Sequence, residues 1–337
     1  MKRIPLARVA AFSPFTHFLR DGGCDVERDL SAAGIPPEIL GSEESLIPLR
    51  PACEFIDELR RRSGIEMFGL EVGSRTSVGD IGIFGTVLCH SLSLKDLIGK
   101  LIRWIPALDS GARAWAESLH DSGNIKLSLR HEVDRGRVIA DGFALLLLID
   151  AVRMAAGPDW RPKRIWLDRA AGAKLSRFES LSEADADRDV DYVAFEIPRE
   201  YLGMPVNPPP KKLGVPLVDH KLLRSTAPSE DLVGSILQAI HSSLAARSVT
   251  IQHAAEMANT STRTLQRKLA SDGFIYSDLV DRVRFQEARA LLVEPDVTLA
   301  DISRRLGYSD PANFTHAFQR WTGEAPSNFR NRLGRSH

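Results

Sequence analysis

Twice between residues 250 and 322 the chain repeats one design, and that repetition restricts its fold more than any other feature. A short amphipathic segment (Thr250–Met257, then Thr298–Leu306) meets a tight corner (Ala258-Asn259-Thr260, then Gly307-Tyr308), and a second helical segment follows at once. Each corner holds a residue that tolerates a left-handed backbone: Gly307 without penalty, Asn259 as the next-best choice. Each second helix has a start signal, Ser261 as N-cap in one case, and Ser309 or Asp310 followed by Pro311 in the other. Small residues at Ala255 and Ser303 let paired helices approach closely. The spacing predicts two helix-turn-helix units, the arrangement that can project a second helix into a DNA major groove.

Between the units, Tyr276–Val293 reads as a connector helix of about 18 residues, about 27 Å long at 1.5 Å per residue. That is a suitable strut for two reading helices about 34 Å, or one DNA turn, apart. Leu265 and Leu269 supply the apolar face of the first unit. Leu299, Ile302, Leu306, Phe314, Phe318 and Trp321 supply that of the second. The faces left over carry Thr262, Arg263, Gln266 and Arg267 on helix 261–270, and Ala312, Asn313, His316 and Gln319 on helix 310–319. These types suit base edges: Arg for guanine, Asn or Gln for adenine, a small apolar group for the thymine methyl.

Upstream the pattern is mixed. Pro51–Ser63 and Ser91–Leu108 have helical periodicity, the latter with Ser93 as a cap, and Asp141–Ala155 is apolar all round, as in a buried helix. Ala112–His131 alternates about an Asp-Ser-Gly-Asn turn, which predicts a hairpin, and Lys163–Leu167 and Val190–Ile197 read as strands. Proline-rich sequence from Met204 to Glu230 separates this part from the helical end. The expected fold is therefore an α+β domain over residues 1–205, a linker over 206–230, and an all-α domain over 231–337 with two helix-turn-helix units joined by a connector helix.

Totals exclude little. The chain has 337 residues, 43% hydrophobic and 26% charged, as expected of a globular protein. Lys plus Arg balance Asp plus Glu, and residues 231–337 hold 13 basic and 11 acidic side chains, too slight a tilt to decide nucleic-acid binding by itself. Cys24, Cys53 and Cys89 lack zinc spacing and read as free thiols of a reducing cytosol. The N-terminus lacks a signal-peptide core, and no apolar run is long enough for a bilayer, which points to a cytoplasmic protein. Gly79, Gly82 and Gly85 have GxxGxxG spacing without the Lys-Ser/Thr of a phosphate loop and read as close-packed turns. His90, His120 and His131 show no second ligand at metal spacing. Trp104, Trp115, Trp160 and Trp166 read as packing residues before pocket residues. No catalytic constellation and no cofactor motif is visible. An enzyme or ligand-binding module in residues 1–205 fused to a DNA-binding domain is the alternative reading.

The segments TSTRTLQRKLASDG, DRVRFQEARALL and LADISRRLGYSDPANFTHAFQRWTGEAPSNFR closely resemble the AraC/XylS family of bacterial transcription regulators, in fixed order through both units and the connector. The resemblance implies a seven-helix DNA-binding domain. It places base contacts at Arg263, Gln266 and Arg267, and at Ala312, Asn313 and His316. Two positions depart from the family pattern: Asn259 stands where Gly is usual, and His316 where Arg is common, which implies weaker or pH-dependent contact by the second unit. The connector arginines Arg284 and Arg289 are expected as ion-pair partners as much as phosphate contacts, and Arg282 as a phosphate contact. PFTHFLRDGGCDVERDLSAAGIPPEIL, ELRRRSGIEMFGLEVGSR and GDIGIFGTVLCHSLSLKDLIGKLIRW are similar to the arabinose-binding type of N-terminal domain in one subgroup of these regulators, without implying arabinose. The implied partners are double-stranded promoter DNA, a small-molecule effector and RNA polymerase, with a dimerising role for the N-terminal domain that would make a homodimer. No membrane is implied.

Overall fold

The computed structural model describes residues 3–169, 175–207, 220–244 and 249–334. They group by contact into two compact units, one of residues 5–26 and 40–228, the other of the described residues in 1–4, 27–39 and 229–337.

In the first unit, β1 (Leu6–Arg8) runs directly into α1 (Val9–Asp21), which stops at Gly22. The short α2 (Val26–Ala32) belongs, from residue 27, with the other unit. β2 (Leu46–Pro48) pairs antiparallel with β1, Ala7 opposite Ile47. Then come α3 (Leu49–Ser63), α4 (Phe68–Gly73), α5 (Gly82–Cys89) and α6 (Leu94–Leu108), the last capped as its sequence predicts, with the Ser93 hydroxyl accepting from the Asp96 N–H. β3 (Ala112–Ser118) and β4 (Ile125–His131) form the expected hairpin, with Ala112 opposite His131. α7 (Arg137–Ala156) is the long buried helix. β5 (Arg164–Asp168), β6 (Asp185–Asp187) and β7 (Asp189–Ile197) complete a five-stranded sheet of order β3-β4-β7-β5-β6, antiparallel except for the β5–β6 pair. α8 (His220–Ser225) ends the unit; residues 208–219 of the expected linker lie outside the described residues.

α7 packs on β4 and β7 by one face and on α4 by another. The α4 contact is close because α4 offers no side chains there. A Cβ at Gly69 would stand 2.0 Å from the Ile139 carbonyl oxygen, and one at Gly73 would stand 3.1 Å from that of Phe143. Gly85 likewise approaches the Val78 carbonyl, a close-packed turn as expected. The unit is fastened at its N-terminal strand by Arg8, which is fully buried. Its Nε donates to the Ala107 carbonyl (2.8 Å), Nη1 to the Glu44 carboxylate (2.7 Å), and Nη2 to the Leu223 carbonyl and the Thr226 hydroxyl (2.9 Å each). Burial lowers the Arg8 pKa and Glu44 works against that shift, so the guanidinium stays charged and paired.

The second unit is helical from α9 to α15: α9 (Leu232–Ser243), α10 (Ile251–Met257), α11 (Thr262–Ser271), α12 (Tyr276–Val293), α13 (Leu299–Arg305), α14 (Pro311–Thr322) and α15 (Pro326–Gly334). These are seven helices among the described residues. Residues 245–248, between α9 and α10, lie outside the described set.

Candidate nucleic-acid interface and effector cavity

Both corners form as read. Asn259 has φ 49° and is the one described non-glycine residue with positive φ; Gly307 has φ 78°. Each of the four helices of the two helix-turn-helix units is capped by a side chain that satisfies an otherwise orphaned N–H. Thr250 accepts from His253, Ser261 from Thr264, Thr298 from Asp301 and Asp310 from Ala312. Pro311 occupies the first turn of α14, where its missing N–H costs nothing. Ala255 and Ser303 are buried, at 2% and 1% exposure, where each unit's helices meet.

Apolar anchoring then decides which face of each second helix remains open. Leu265 and Leu269 of α11 are buried; Arg263, Gln266 and Arg267 are exposed and Thr262 is half-buried. On α14, Phe314, Ala317 and Phe318 are buried and Ala312, Asn313, His316 and Gln319 are exposed. Phe318 is the centre of an aromatic cluster with Phe285 of α12, Phe314, Trp321 and Phe329 of α15. Leu299 and Trp321 are only half-buried, less deep than their sequence positions suggest.

Two of the connector arginines, Arg284 and Arg289, lie over aromatic rings. Among the described residues Arg284 has no carboxylate pair: its Nε donates to the Leu306 carbonyl at 3.2 Å, and its guanidinium lies 4.4 Å from the centre of the Tyr308 ring. It therefore clasps the second corner from α12, satisfying a C-terminal carbonyl of α13. Arg289 lies over the Phe285 ring at 5.7 Å, and Arg282 is exposed. The ion pair that does join α12 to α14 is Asp281 with Arg320, at 2.7 Å.

The other unit holds a cavity of about 100 Å³ between α1, α3, α5, α6, β4 and α7. Its wall is aliphatic and aromatic, with Phe12, Ile56, Phe84, Leu101 and Phe143 among the lining, and Cys53 beside them. Burial pushes the Cys53 thiol pKa up, so it is an inert thiol. Two ionisable residues, Asp109 and His131, form a polar end. His131 Nδ1 lies 2.7 Å from Asp141 Oδ1, and its Nε2 lies 3.6 Å from Asp109 Oδ2. Asp141 is held in turn by Arg137, which reaches Asp168 at 2.6 Å. Burial disfavours charge on His131, but the hydrogen bond to Asp141 and the charges of Asp141 and Asp109 outweigh it and raise the imidazole pKa. This constellation has no signature in the sequence, where His131 carries no ligand pattern; its partners stand on other elements, Asp109 at the end of α6 and Asp141 on α7. None of Trp104, Trp115, Trp160 and Trp166 lines the cavity.

Two capped, exposed-faced second helices on one connector, in one chain with a unit that encloses an apolar cavity, define the class: a DNA-binding regulator with an effector-binding domain. Comparison with known proteins agrees. The family model described as the arabinose-binding domain of AraC transcription regulators, N-terminal, matches residues 23–206, and that described as a helix-turn-helix domain matches residues 254–332. The chain belongs to the AraC family of transcription regulators. The ornithine utilization regulator of Pseudomonas aeruginosa is 24% identical over 96% of both chains. The HTH-type transcriptional regulator VirS of Mycobacterium tuberculosis is 21% identical, also over 96% of both. The regulator VqsM of Pseudomonas aeruginosa is 46% identical over 69 residues, 20% of this chain and 21% of its own. No described helix is long and apolar enough to cross a membrane.

Proposed function

We propose that the chain reads promoter DNA with α11 and α14 in successive major grooves, and that ligand occupancy of the apolar cavity controls that reading. Thr262, Arg263, Gln266 and Arg267 would contact the first groove, and Ala312, Asn313, His316 and Gln319 the second. The observation that carries the reading is the matched pair of exposed polar faces, each on a helix whose opposite face is anchored by buried apolar residues. Phosphate contacts would supply much of the affinity and a steep salt dependence, and base contacts the specificity. In this reading residues 1–205 sense and do not catalyse, residues 206–230 link, and residues 231–337 bind DNA. RNA polymerase and a second copy of the chain are the proposed protein partners, and the cytoplasm, where promoter DNA lies, is the site of action.

Gel shifts on the chain's own upstream DNA at 150 mM salt test it. Arg263→Ala and Arg267→Ala are each expected to cost about 1–3 kcal/mol of binding to the specific site and to relax base preference at one position. Wild-type affinity in both variants would remove α11 from the reading surface.

A further inference from the structure

The unit that holds the apolar cavity also has a polar groove of about 510 Å³, between α6 and α8. α6 lines it with Asp96, Lys100, Arg103 and Trp104, and α8 with Lys221 and Arg224, so four cations stand against one carboxylate. That carboxylate is already balanced: Lys100 Nζ lies 3.0 Å from Asp96 Oδ2 and also donates to the His90 carbonyl at 3.0 Å. Arg103 and Arg224, one on each wall, have no ion pair among the described residues. The Arg103 guanidinium lies 5.2 Å from the centre of the Trp104 ring, a stacking that steadies it while its N–H edge can still donate. One buried side chain fastens both walls, because Arg8 donates to the Ala107 carbonyl of α6 and to the Leu223 carbonyl of α8. Gly99 of α6 also lines the groove, and a Cβ added there would meet nothing within 4 Å.

We propose that this groove binds a small phosphomonoester, at a site separate from the apolar cavity and independent of what that cavity holds. With Lys100 and Asp96 offsetting each other, Arg103 and Arg224 present two positive charges without ion-pair partners. A phosphomonoester, with a charge of about −2 at neutral pH, balances both, and a monoanion balances only one. It also places three strong acceptor oxygens on one atom, so a single group can meet a planar guanidinium fork from each wall. A carboxylate has two oxygens in one plane and serves one such fork. The size is that of a small-molecule site, roughly 300–1,000 Å³. α8 ends at Ser225 and α9 begins at Leu232, so a ligand that ties α8 to α6 acts close to where the chain passes from this unit to the DNA-binding one.

Three probes of one skeleton, phenyl phosphate, phenyl sulfate and phthalate, titrated against the full-length protein by calorimetry at neutral pH and low salt, test the proposal. Phenyl phosphate is expected to saturate one site and to bind at least fivefold more tightly than either of the others. Arg103→Gln and Arg224→Gln are each expected to weaken it at least fivefold. Gly99→Leu keeps every charge and puts a better helix former in α6, and it is expected to abolish binding by filling the groove. Arg263→Ala with Arg267→Ala is expected to leave phenyl phosphate binding unchanged. Loss of binding in that variant would place the anion on α11 and overturn the groove as its site. Equal binding of phenyl sulfate, or tighter binding of phthalate, overturns the phosphomonoester. Displacement of phenyl phosphate from the wild type by duplex DNA lacking the specific site would assign the groove to the DNA backbone instead. No saturable binding, or binding unchanged in the three groove variants, overturns the site and leaves the reading of DNA by α11 and α14 standing.

Discussion

Asn259 and Gly307 solve one backbone problem with two residues. Both corners need positive φ, 49° and 78°. Glycine reaches that region freely, whereas asparagine does so at a small cost, offset by local hydrogen bonding of its amide. Asn259→Gly is therefore expected to leave the denaturation midpoint unchanged or slightly higher, and Asn259→Val to lower stability by about 1–2 kcal/mol, the left-handed penalty of a branched side chain. A Val variant as stable as wild type would show that the corner can relax to negative φ. Arg8 is the opposite kind of residue, one whose worth lies in partners rather than conformation. Truncation by Arg8→Ala leaves the Glu44 carboxylate without its partner at 2.7 Å and strips the Ala107 and Leu223 carbonyls of their donor. A loss of about 3 kcal/mol or more in urea unfolding is expected. Arg8→Lys should recover only part of it, since one ammonium cannot span that fork.

At the scale of elements, α9 is tied to α12 by His241 Nε2 and Glu287 Oε2, 3.1 Å apart. The hydrogen bond to Glu287 raises the His241 pKa from its ordinary 6.5, and the same bond lowers that of Glu287 from 4.5. A raised histidine pKa stabilises fully below 6.5 and loses its effect as pH rises through the raised value. A lowered carboxylate pKa stabilises above 4.5 and loses its effect as pH falls through the lowered value. The tie is thus strongest between about pH 4.5 and 6.5. By NMR titration His241 should titrate above the ordinary value, and Glu287→Gln should return it toward 6.5. An unchanged His241 pKa in that variant would mean the pair does not form in solution. The elements that the sequence made legible are those whose signals are local. α10, α11, α13 and α14 each couple helical periodicity to a cap residue within four positions, and the β3–β4 hairpin centres on its own turn. Elements stabilised at a distance were silent. β1 and β2 are three residues each, too short for periodicity, and exist because residues some forty positions apart pair. α5 starts at a glycine and is apolar but for Thr86, so its pattern is that of a packed loop as much as a helix. The same physics separates the two sites. Arg263, Gln266, Asn313 and His316 are placed by the phase of their own helices. Asp109, His131 and Asp141 come from the end of α6, from β4 and from α7, and only the fold brings them together.

For the whole molecule, a single chain that reads DNA with both α11 and α14, as proposed, would be a bivalent ligand, and bivalency has a measurable signature. If α11 and α14 read adjacent grooves, the footprint should cover about 20 base pairs, two turns. The logarithm of affinity should fall linearly with that of salt, at about 0.9 per phosphate bound. Removing the second reader by Asn313→Ala together with His316→Ala should weaken binding by about 1–3 kcal/mol for each base edge no longer read, while the first half-site remains occupied. The decisive comparison crosses that protein variant with DNA whose second half-site is scrambled. Each change alone should cost the same, and the two together should cost hardly more than either, because both delete one set of interactions. Additive losses would instead mean that α14 and the second half-site act independently, and that the faces exposed on α11 and α14 do not read one continuous site. The salt slope separates the remaining case. A variant that binds more weakly with the slope unchanged no longer reads a base, whereas one whose slope falls by about one no longer neutralises a phosphate. Arg282, exposed on α12 between the two units, is expected to be of the second kind.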